Sequence, residues 1–199
     1  MRKMLFALFL LLPLTAHAAA TVGQPAPDFT ATATDGKAVK LSDLKGKIVV
    51  LEWTNPDCPF VHKHYDAGNM QKTQAYATGK GVVWLSINSG AAGKEGSVSA
   101  EQANDYIAKN KSAATHYILD PAGDIGKLYG AKSTPHMFVI GSDGNIAYMG
   151  AIDDKATANP ADNAAADNYV KDAIDSLLTG KPVAVSSTQS YGCAVKYAD

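Results

Sequence analysis

The chain has 199 residues, 18 Lys and Arg against 19 Asp and Glu, and a formal net charge of −1. A net charge near zero suggests neither nucleic acid nor an anionic membrane surface as a partner. The length suits one domain that buries a substantial core, and no stretch after the N-terminal segment is apolar for long enough to cross a bilayer.

The first twenty residues have the pattern of an export signal. Arg2 and Lys3 precede an apolar run from Met4 to Leu14, and Ala16-His17-Ala18 follows it. A membrane span needs about 20 apolar residues, so this shorter run predicts a secretory signal peptide over residues 1–20 without stable membrane insertion. We therefore expect an exported protein, periplasmic or secreted, with a domain over residues 21–182 and a C-terminal tail over 183–199.

The first half of the chain predicts an N-terminal hairpin followed by a strand, a helix and a strand. Asp35-Gly36 is a hairpin turn signal, and an unbroken apolar run with β-branched residues indicates a buried strand. The elements expected in order are the hairpin within 21–40, a helical turn over 41–46, a strand over 47–54, a helix from Pro59 to about Thr78 weakened at Gly68, and a strand over 81–87. Strand, helix and strand at this spacing predict a parallel pair of strands.

The second half predicts an alternation of helices and short strands. A glycine-rich stretch over 88–97 is expected to be a mobile surface loop, and Ser99-Ala100-Glu101-Gln102 matches a capping box that opens a helix to about Asn110. The further elements expected are a strand over 116–119, a turn over 120–123, a helix over 124–129, a hairpin over 137–149 around Ser142-Asp143-Gly144, and a final helix with Val170, Ala173, Ile174, Leu177 and Leu178 facing the core. The tail after Pro182 is polar, and its pattern predicts order only if Cys193 ties it down.

Cys58 is the strongest candidate for chemistry. Pro59 suits the first position of a helix, which puts Cys58 at the helix N-terminus. The backbone N–H groups and the helix dipole there favour a thiolate, which is the nucleophilic form of cysteine. Asp57 acts in the opposite direction, because an adjacent carboxylate disfavours the thiolate, while His62 and Lys63 could offset it.

At this point the chain resembles a known group of proteins. The order of elements, with a cysteine at the start of the first long helix and a Thr-Pro before the hairpin, is similar to the thioredoxin fold. The sequence is similar to the redoxin and alkyl hydroperoxide reductase/thiol-specific antioxidant (AhpC/TSA) group, including its peroxiredoxin-like thioredoxin branch, in the segments Gly23-Gln24-Pro25-Ala26-Pro27-Asp28-Phe29, Asp35-Gly36-Lys37, Leu41-Ser42-Asp43-Leu44-Lys45-Gly46-Lys47, Trp53 to Val61, Asp120-Pro121, Ser133-Thr134-Pro135, Asp143-Gly144 and Gly192-Cys193-Ala194-Val195-Lys196. The resemblance implies an α/β thioredoxin-like fold, with a central mixed sheet flanked by helices and an N-terminal hairpin extension.

The resemblance also implies roles for particular residues. Cys58 matches the nucleophilic cysteine, Pro135 matches a cis-proline beside it, and the supporting positions are Trp53, Thr54, Asp57, Pro59 and Thr134. Val61 stands where a second cysteine would complete a Cys-x-x-Cys motif, which leaves Cys193 as the possible resolving cysteine. The implied function is thiol-dependent redox chemistry with a thiol or disulfide partner protein, or with peroxide, and it needs no cofactor.

Peroxide is the less favoured of these substrates. Leu51 and Asn55 stand where a peroxiredoxin motif has Pro and Thr, and the only arginine is Arg2, inside the predicted signal peptide. Typical peroxiredoxins use an arginine to polarise peroxide.

Two alternatives to redox chemistry remain open. Cys58 and Cys193 could form a permanent disulfide, which the chain-entropy model makes worth about 4–5 kcal/mol for a loop of this length, in a thioredoxin-fold module without catalytic activity. Cys58, His62 and His136 could instead bind copper or zinc, whereas His64 is a poor candidate because its helical spacing points it away from Cys58.

Glu52 and the aromatic residues have less specific interpretations. Glu52 precedes Trp53 near the end of a strand expected to be buried, where a carboxylate would cap a backbone group or relay a proton near Cys58. The core or the wall of the site is the expected place for Trp53, Phe60, Trp84, Tyr117 and Phe138.

Overall fold

The computed structural model describes residues 19–198. The predicted signal peptide lies outside this range except for Ala19 and Ala20. None of the helices within the range is both long and apolar enough to cross a membrane.

The elements follow the predicted alternation closely. The strands are β1 (Thr30–Thr32), β2 (Ala38–Lys40), β3 (Val49–Trp53), β4 (Val83–Asn88), β5 (His116–Leu119), β6 (Ser133–Thr134), β7 (His136–Ile140), β8 (Ile146–Gly150) and β9 (Cys193–Ala194). The helices are α1 (Pro59–Asp66), α2 (Asn69–Gly79), α3 (Ala100–Lys109), α4 (Asp124–Tyr129) and α5 (Tyr169–Leu178), and 3-10 turns cover Leu41–Leu44 and Pro160–Ala165.

The central sheet is mixed, as predicted. Its order is β5-β4-β3-β7-β8, with β3 parallel to β4, β4 parallel to β5, and β7 antiparallel to both β3 and β8. The hairpin β1–β2 is a separate antiparallel pair at the N-terminal end, and β6 pairs with β9 from the tail. The α/β fold with a mixed sheet flanked by helices is therefore confirmed.

Strand β3 divides the core into two layers. Because side chains alternate along a strand, Val49, Leu51 and Trp53 face one apolar cluster, while Val50 faces the other. The second cluster is the one that receives Cys58, Val61 and Tyr65 from α1 and Val170, Ala173 and Ile174 from α5. Glu52 has the same parity as Val50 and is fully buried.

The single helix predicted from Pro59 to about Thr78 is wrong, because the chain forms two helices. Helix α1 ends at Asp66, and Gly68 takes a left-handed conformation with φ 69° before α2 begins. A left-handed residue cannot continue a right-handed helix, and glycine adopts that conformation without a steric penalty. Gly68 therefore separates two helices, whereas the sequence predicts one helix that Gly68 only destabilises.

Two expectations about the C-terminal part also need correction. Leu178 was expected to face the core, but it is 43% exposed at the end of α5. The tail is ordered although Cys58 and Cys193 are both free thiols. Backbone bonds hold it in place, from Thr188 N to Met149 O at 3.1 Å, from Val195 N to Lys132 O at 3.1 Å and from Ala91 N to Lys196 O at 2.8 Å.

We expect Gly68→Ala to destabilise the protein by about 1 kcal/mol, because an L-residue is strained in the left-handed region. A Cβ at Gly68 would meet nothing within 4 Å, so the backbone conformation alone sets this cost. Urea unfolding measures the change. Gly79→Ala is the matched control, since its Cβ also meets nothing and its backbone is helical. The explanation fails if Gly68→Ala is no less stable than Gly79→Ala.

Candidate active site

Cys58 lies at the point where β3 gives way to α1. Its amide donates to Asn55 O at 3.1 Å, and its carbonyl accepts the amides of Val61 and His62, each at 2.9 Å. Pro59 occupies the first helical turn, as the sequence predicted, and Cys58 is the N-cap residue. The side chain of Cys58 is 0% exposed.

The segment Thr134-Pro135 lies directly beside this cysteine. Strands β3 and β7 are adjacent and antiparallel, with Trp53 opposite His136. The turn after β3 and the segment before β7 therefore meet at the same end of these two strands. The Thr134–Pro135 peptide is cis. The Cys58 thiol donates to the Thr134 carbonyl oxygen, with Sγ and O 3.1 Å apart.

Cys193 reaches the same place from the tail. In the β6–β9 pair its partner is Thr134, and the Thr134 hydroxyl donates to the Cys193 carbonyl at 3.5 Å. Burial raises the pKa of the Cys193 thiol to about 12, and its hydrogen bond to Cys58 and the charge of Cys58 add to this shift. Cys193 therefore keeps its proton at neutral pH.

Gly192 allows the tail to approach this closely. Its φ is +128°, and a Cβ there would lie only 2.0 Å from the Thr134 carbonyl oxygen. No residue with a side chain fits without displacing the strand pair. The glycine before Cys193 is thus a steric requirement of the site.

A polar loop also borders the site. Asp57 is exposed and accepts the Gly96 amide at 2.9 Å, while Asn55 Oδ1 accepts the Asp57 amide at 2.8 Å. Since Ala91 in the same loop donates to the tail at Lys196, residues 88–97 join the cysteine turn to the tail. These bonds argue against the predicted mobile loop.

Trp53 is the last residue of β3, and Thr54 follows it. Trp53 is fully buried in the apolar cluster of Tyr129 and Phe138, and its indole N–H donates to Ser89 Oγ at 3.0 Å. The Thr54 hydroxyl is buried and has no hydrogen-bond partner among the residues that the structure describes.

Within residues 19–198, Glu52 is held by side chains and caps no backbone group. Its carboxylate accepts from Trp84 Nε1 at 2.8 Å, Ser86 Oγ at 2.8 Å, Gln74 Nε2 at 3.1 Å and Tyr65 OH at 3.1 Å. Burial raises the pKa of Glu52, and the four donors act in the opposite direction. The carboxylate ties β3 to β4, α1 and α2.

The histidines are distributed rather than clustered. His62 is exposed and faces Asp66, with Nδ1 and Oδ1 3.6 Å apart, and His136 Nδ1 accepts the Lys132 amide at 3.3 Å. His64 is buried beside Tyr191 and Asn69. Across residues 19–198, His, Cys, Asp and Glu form no group of three or more that could hold a metal ion. This distribution gives the copper or zinc hypothesis no support.

One buried polar group near the cysteines is not predicted by the sequence. Lys63, which we expected to offset the charge of Asp57, is instead buried against Asp153 and Tyr191. The only sequence signal was the position of Tyr191, two residues before Cys193.

Protein stability should fall as the pH drops from about 6.5 to about 4, because burial lowers the pKa of His136 to about 4. In that window the unfolded chain binds a proton that the folded chain does not, which amounts to about 2 kcal/mol for one histidine at pH 5. His64, with its pKa also lowered to about 4, acts in the same direction. Urea titrations at pH 7 and pH 5 measure the loss.

His136→Asn, which keeps an acceptor for the Lys132 amide, should reduce this loss by about half, since one of the two buried histidines is removed. The exposed His62 gives the control His62→Asn, which should leave the loss unchanged. If His136→Asn and the wild type lose the same stability between pH 7 and pH 5, His136 is not a source of the pH dependence.

Comparisons with known proteins identify the family and the fold of the chain. The Redoxin family model matches residues 21–170. Thiol-disulfide oxidoreductase ResA from Bacillus thuringiensis subsp. konkukian is 26% identical over 125 residues, which are 63% of this chain and 66% of that protein, just under two thirds of its length.

Two solved structures extend the comparison. An uncharacterized conserved protein from Geobacillus kaustophilus is 27% identical with a TM-score of 0.78, covering 89% of this chain and 93% of that one. The thioredoxin domain of a thiol-disulfide oxidoreductase from Bacteroides vulgatus has a TM-score of 0.52 at 22% identity, covering 66% of this chain and 89% of that one, and shows a shared fold. The chain therefore belongs to the Redoxin family and has a thioredoxin-like fold.

Proposed function

We propose that this protein is an exported thiol-disulfide oxidoreductase in which Cys58 is the nucleophile and Cys193 the resolving cysteine. The observation that carries the proposal is the position of Thr134, whose carbonyl accepts the Cys58 thiol and whose strand partner is Cys193. One backbone residue thus brings both sulfurs to the same place, although 134 positions separate them in the sequence (193 − 58 − 1). Export is supported by the N-terminal charged and apolar pattern.

The exchange would proceed in two balanced steps. The Cys58 thiolate attacks one sulfur of a substrate disulfide, forms a mixed disulfide and releases the other sulfur as a thiolate. Cys193 then attacks the Cys58 sulfur, which forms the Cys58–Cys193 disulfide and breaks the mixed disulfide, and the departing substrate sulfur takes up the proton that Cys193 gives up. The substrate gains two electrons and the cysteine pair loses two.

The raised pKa of Cys193 supports this order of attack. A thiol that keeps its proton at neutral pH is a poor first nucleophile, because the thiolate is the reactive form. Once Cys58 is in a mixed disulfide it carries no negative charge, so one cause of the raised pKa disappears. Cys193 would then ionise more readily at the step that needs it.

A permanent disulfide explains less of the arrangement. Backbone bonds and Tyr197, whose hydroxyl donates to Ala131 O at 2.8 Å, already hold the tail while both cysteines are thiols. A structural disulfide would also gain nothing from a position at a helix N-terminus. We expect the Cys58–Cys193 pair to have a reduction potential above the roughly −300 mV that is typical of structural disulfides.

Reaction of the reduced protein with the disulfide of 5-thio-2-nitrobenzoate tests the proposal. The wild type should release two equivalents of thionitrobenzoate and finish as an intramolecular disulfide, whereas Cys193→Ser should release one and retain the adduct on Cys58. Cys58→Ser should react about tenfold more slowly or worse, because a thiol with a raised pKa supplies less thiolate. Absorbance gives the rates and intact mass gives the products.

A wild type that carries two thionitrobenzoate adducts and no internal disulfide would sink the proposal. Hydrogen peroxide in place of the disulfide tests the peroxiredoxin-like alternative, in which Cys58 passes through a sulfenic acid before Cys193 displaces water. We expect peroxide to react more slowly than the disulfide, since residues 21–199 contain no arginine to polarise it.

A further inference from the structure

The tail closes over Cys58 in the reduced protein. Cys58 is 0% exposed, its thiol is bonded to Thr134 O at 3.1 Å, and Gly192 is packed on that same carbonyl. Tyr191 and Cys193 of the tail pack against the cluster that contains Cys58, so the tail is part of the cover that must move before a substrate reaches its sulfur. Whatever holds the tail down controls access to the nucleophile.

The hydroxyl of Tyr191 connects the tail to a buried ion pair. Its hydroxyl donates to Asp153 Oδ1 and accepts from Lys63 Nζ at 3.3 Å. Lys63 Nζ lies 3.4 Å from each carboxylate oxygen of Asp153 and donates to Lys155 O at 2.5 Å. The side chains of Lys63 and Asp153 are 0% and 1% exposed, so the ion pair is shielded from water.

His64 completes the set of partners around the same hydroxyl. Its Nε2 is 3.2 Å from Tyr191 OH, and its Nδ1 is 2.9 Å from Asn69 Nδ2. An amide nitrogen can only donate, so Nδ1 accepts and Nε2 carries the proton. The hydroxyl of Tyr191 thus donates once and accepts twice, which uses its full hydrogen-bonding capacity.

The partners of Tyr191 place this contact one helical turn from the nucleophile. Lys63 and His64 belong to α1, the helix that begins next to Cys58, and the ring of Tyr191 packs against Phe60 of that helix with centroids 5.9 Å apart. Two residues after Tyr191, the tail enters β9 at Cys193. One side chain therefore fixes the distance between the tail and the helix that carries Cys58.

We propose that Tyr191 is a positioning residue that latches the tail over Cys58 through the buried Lys63–Asp153 pair. Opening of the latch admits the substrate disulfide to Cys58, and closing returns Cys193 to its place opposite Thr134 for the resolving attack. The second half of this proposal rests on the thiol-disulfide exchange proposed above. The first half, control of access to Cys58, does not.

Alkylation of Cys58 by iodoacetamide in a Cys193→Ser background tests control of access. Tyr191→Phe keeps the ring and removes the hydroxyl, and the loss of its contacts with charged groups should raise the alkylation rate by about 5–30-fold. Tyr129→Phe is the matched control, because it also removes a single tyrosine hydroxyl, one that donates to Pro27 O at 2.7 Å instead of to a group that holds Tyr191. It should change the rate by less than about twofold.

Gly192→Ala gives a positive control, since its Cβ would collide with the Thr134 carbonyl and displace β9. Equal alkylation rates in Tyr191→Phe and Tyr129→Phe would overturn the latch. So would an unchanged rate in Tyr191→Phe while Gly192→Ala reacts faster.

Amide hydrogen exchange separates opening of the tail from general loss of stability. In Tyr191→Phe the amide of Val195, bonded to Lys132 O, should exchange faster by the same factor as the alkylation. The amide of Thr54, bonded to Ile87 O in the sheet, should not change. Equal acceleration at both amides would mean that the variant unfolds globally, and the latch would be rejected.

Reaction with the thionitrobenzoate disulfide tests the positioning of Cys193. With both cysteines present, Tyr191→Phe should speed the first release of thionitrobenzoate and slow the second, and simple destabilisation would not produce these opposite changes. A faster first release with an unchanged second release would overturn the positioning role. If the wild type forms no internal disulfide, the thiol-disulfide exchange fails, while the alkylation and exchange rates still judge the latch on their own.

Discussion

The backbone of Thr134 is the constraint on which the site depends. Its carbonyl accepts the thiol of Cys58, and its place in β6 pairs it with Cys193. The sheet provides this arrangement, because β3 and β7 are neighbours and their ends deliver the cysteine turn and the Thr-Pro segment to one edge. The tail adds the third component, and Gly192 makes its approach sterically possible. A change in the register of any of these strands would separate the two sulfurs.

Buried polar groups connect the site to the rest of the fold. Glu52 joins the two central parallel strands to α1 and α2, and the Lys63–Asp153 pair joins α1 to the loop after β8 and to the tail. Burying a polar or charged group costs free energy unless it is hydrogen-bonded or paired. Lys63 and Asp153 pair with each other, whereas Glu52 has no charged partner and accepts from four neutral side chains. Because a shift of any partner would leave a charge without its bonds, these contacts favour one position of α1 and of the tail.

Much of this arrangement could be predicted from the sequence because its signals are local. Apolar runs located β3, β4 and β7, Asp143-Gly144 located a hairpin, and Cys58-Pro59 located a helix start. The break at Gly68 was underestimated, since a glycine costs a helix only about 1 kcal/mol and the choice between one helix and two depends on packing. Leu178 was misplaced because periodicity does not show where a helix passes beyond the core.

The contacts of the tail could not be predicted because they join residues far apart in the chain. Tyr191 meets Lys63 and Asp153 only after the helix and the sheet have formed, and a lysine on an amphipathic helix is ordinarily expected in solvent. The partners of Glu52 come from three other elements, which the sequence does not relate to one another. In both cases the sequence identifies the residue but not the residues that surround it in the fold.

The division of the core by β3 has a consequence for spectroscopy. The chain has two tryptophans, and each lies in a different layer, Trp53 with its indole on Ser89 and Trp84 with its indole on Glu52. Each layer therefore contains its own fluorophore, and the one in the layer of Cys58 lies against a buried carboxylate. The emission of this protein combines two separate environments, one for each side of the sheet.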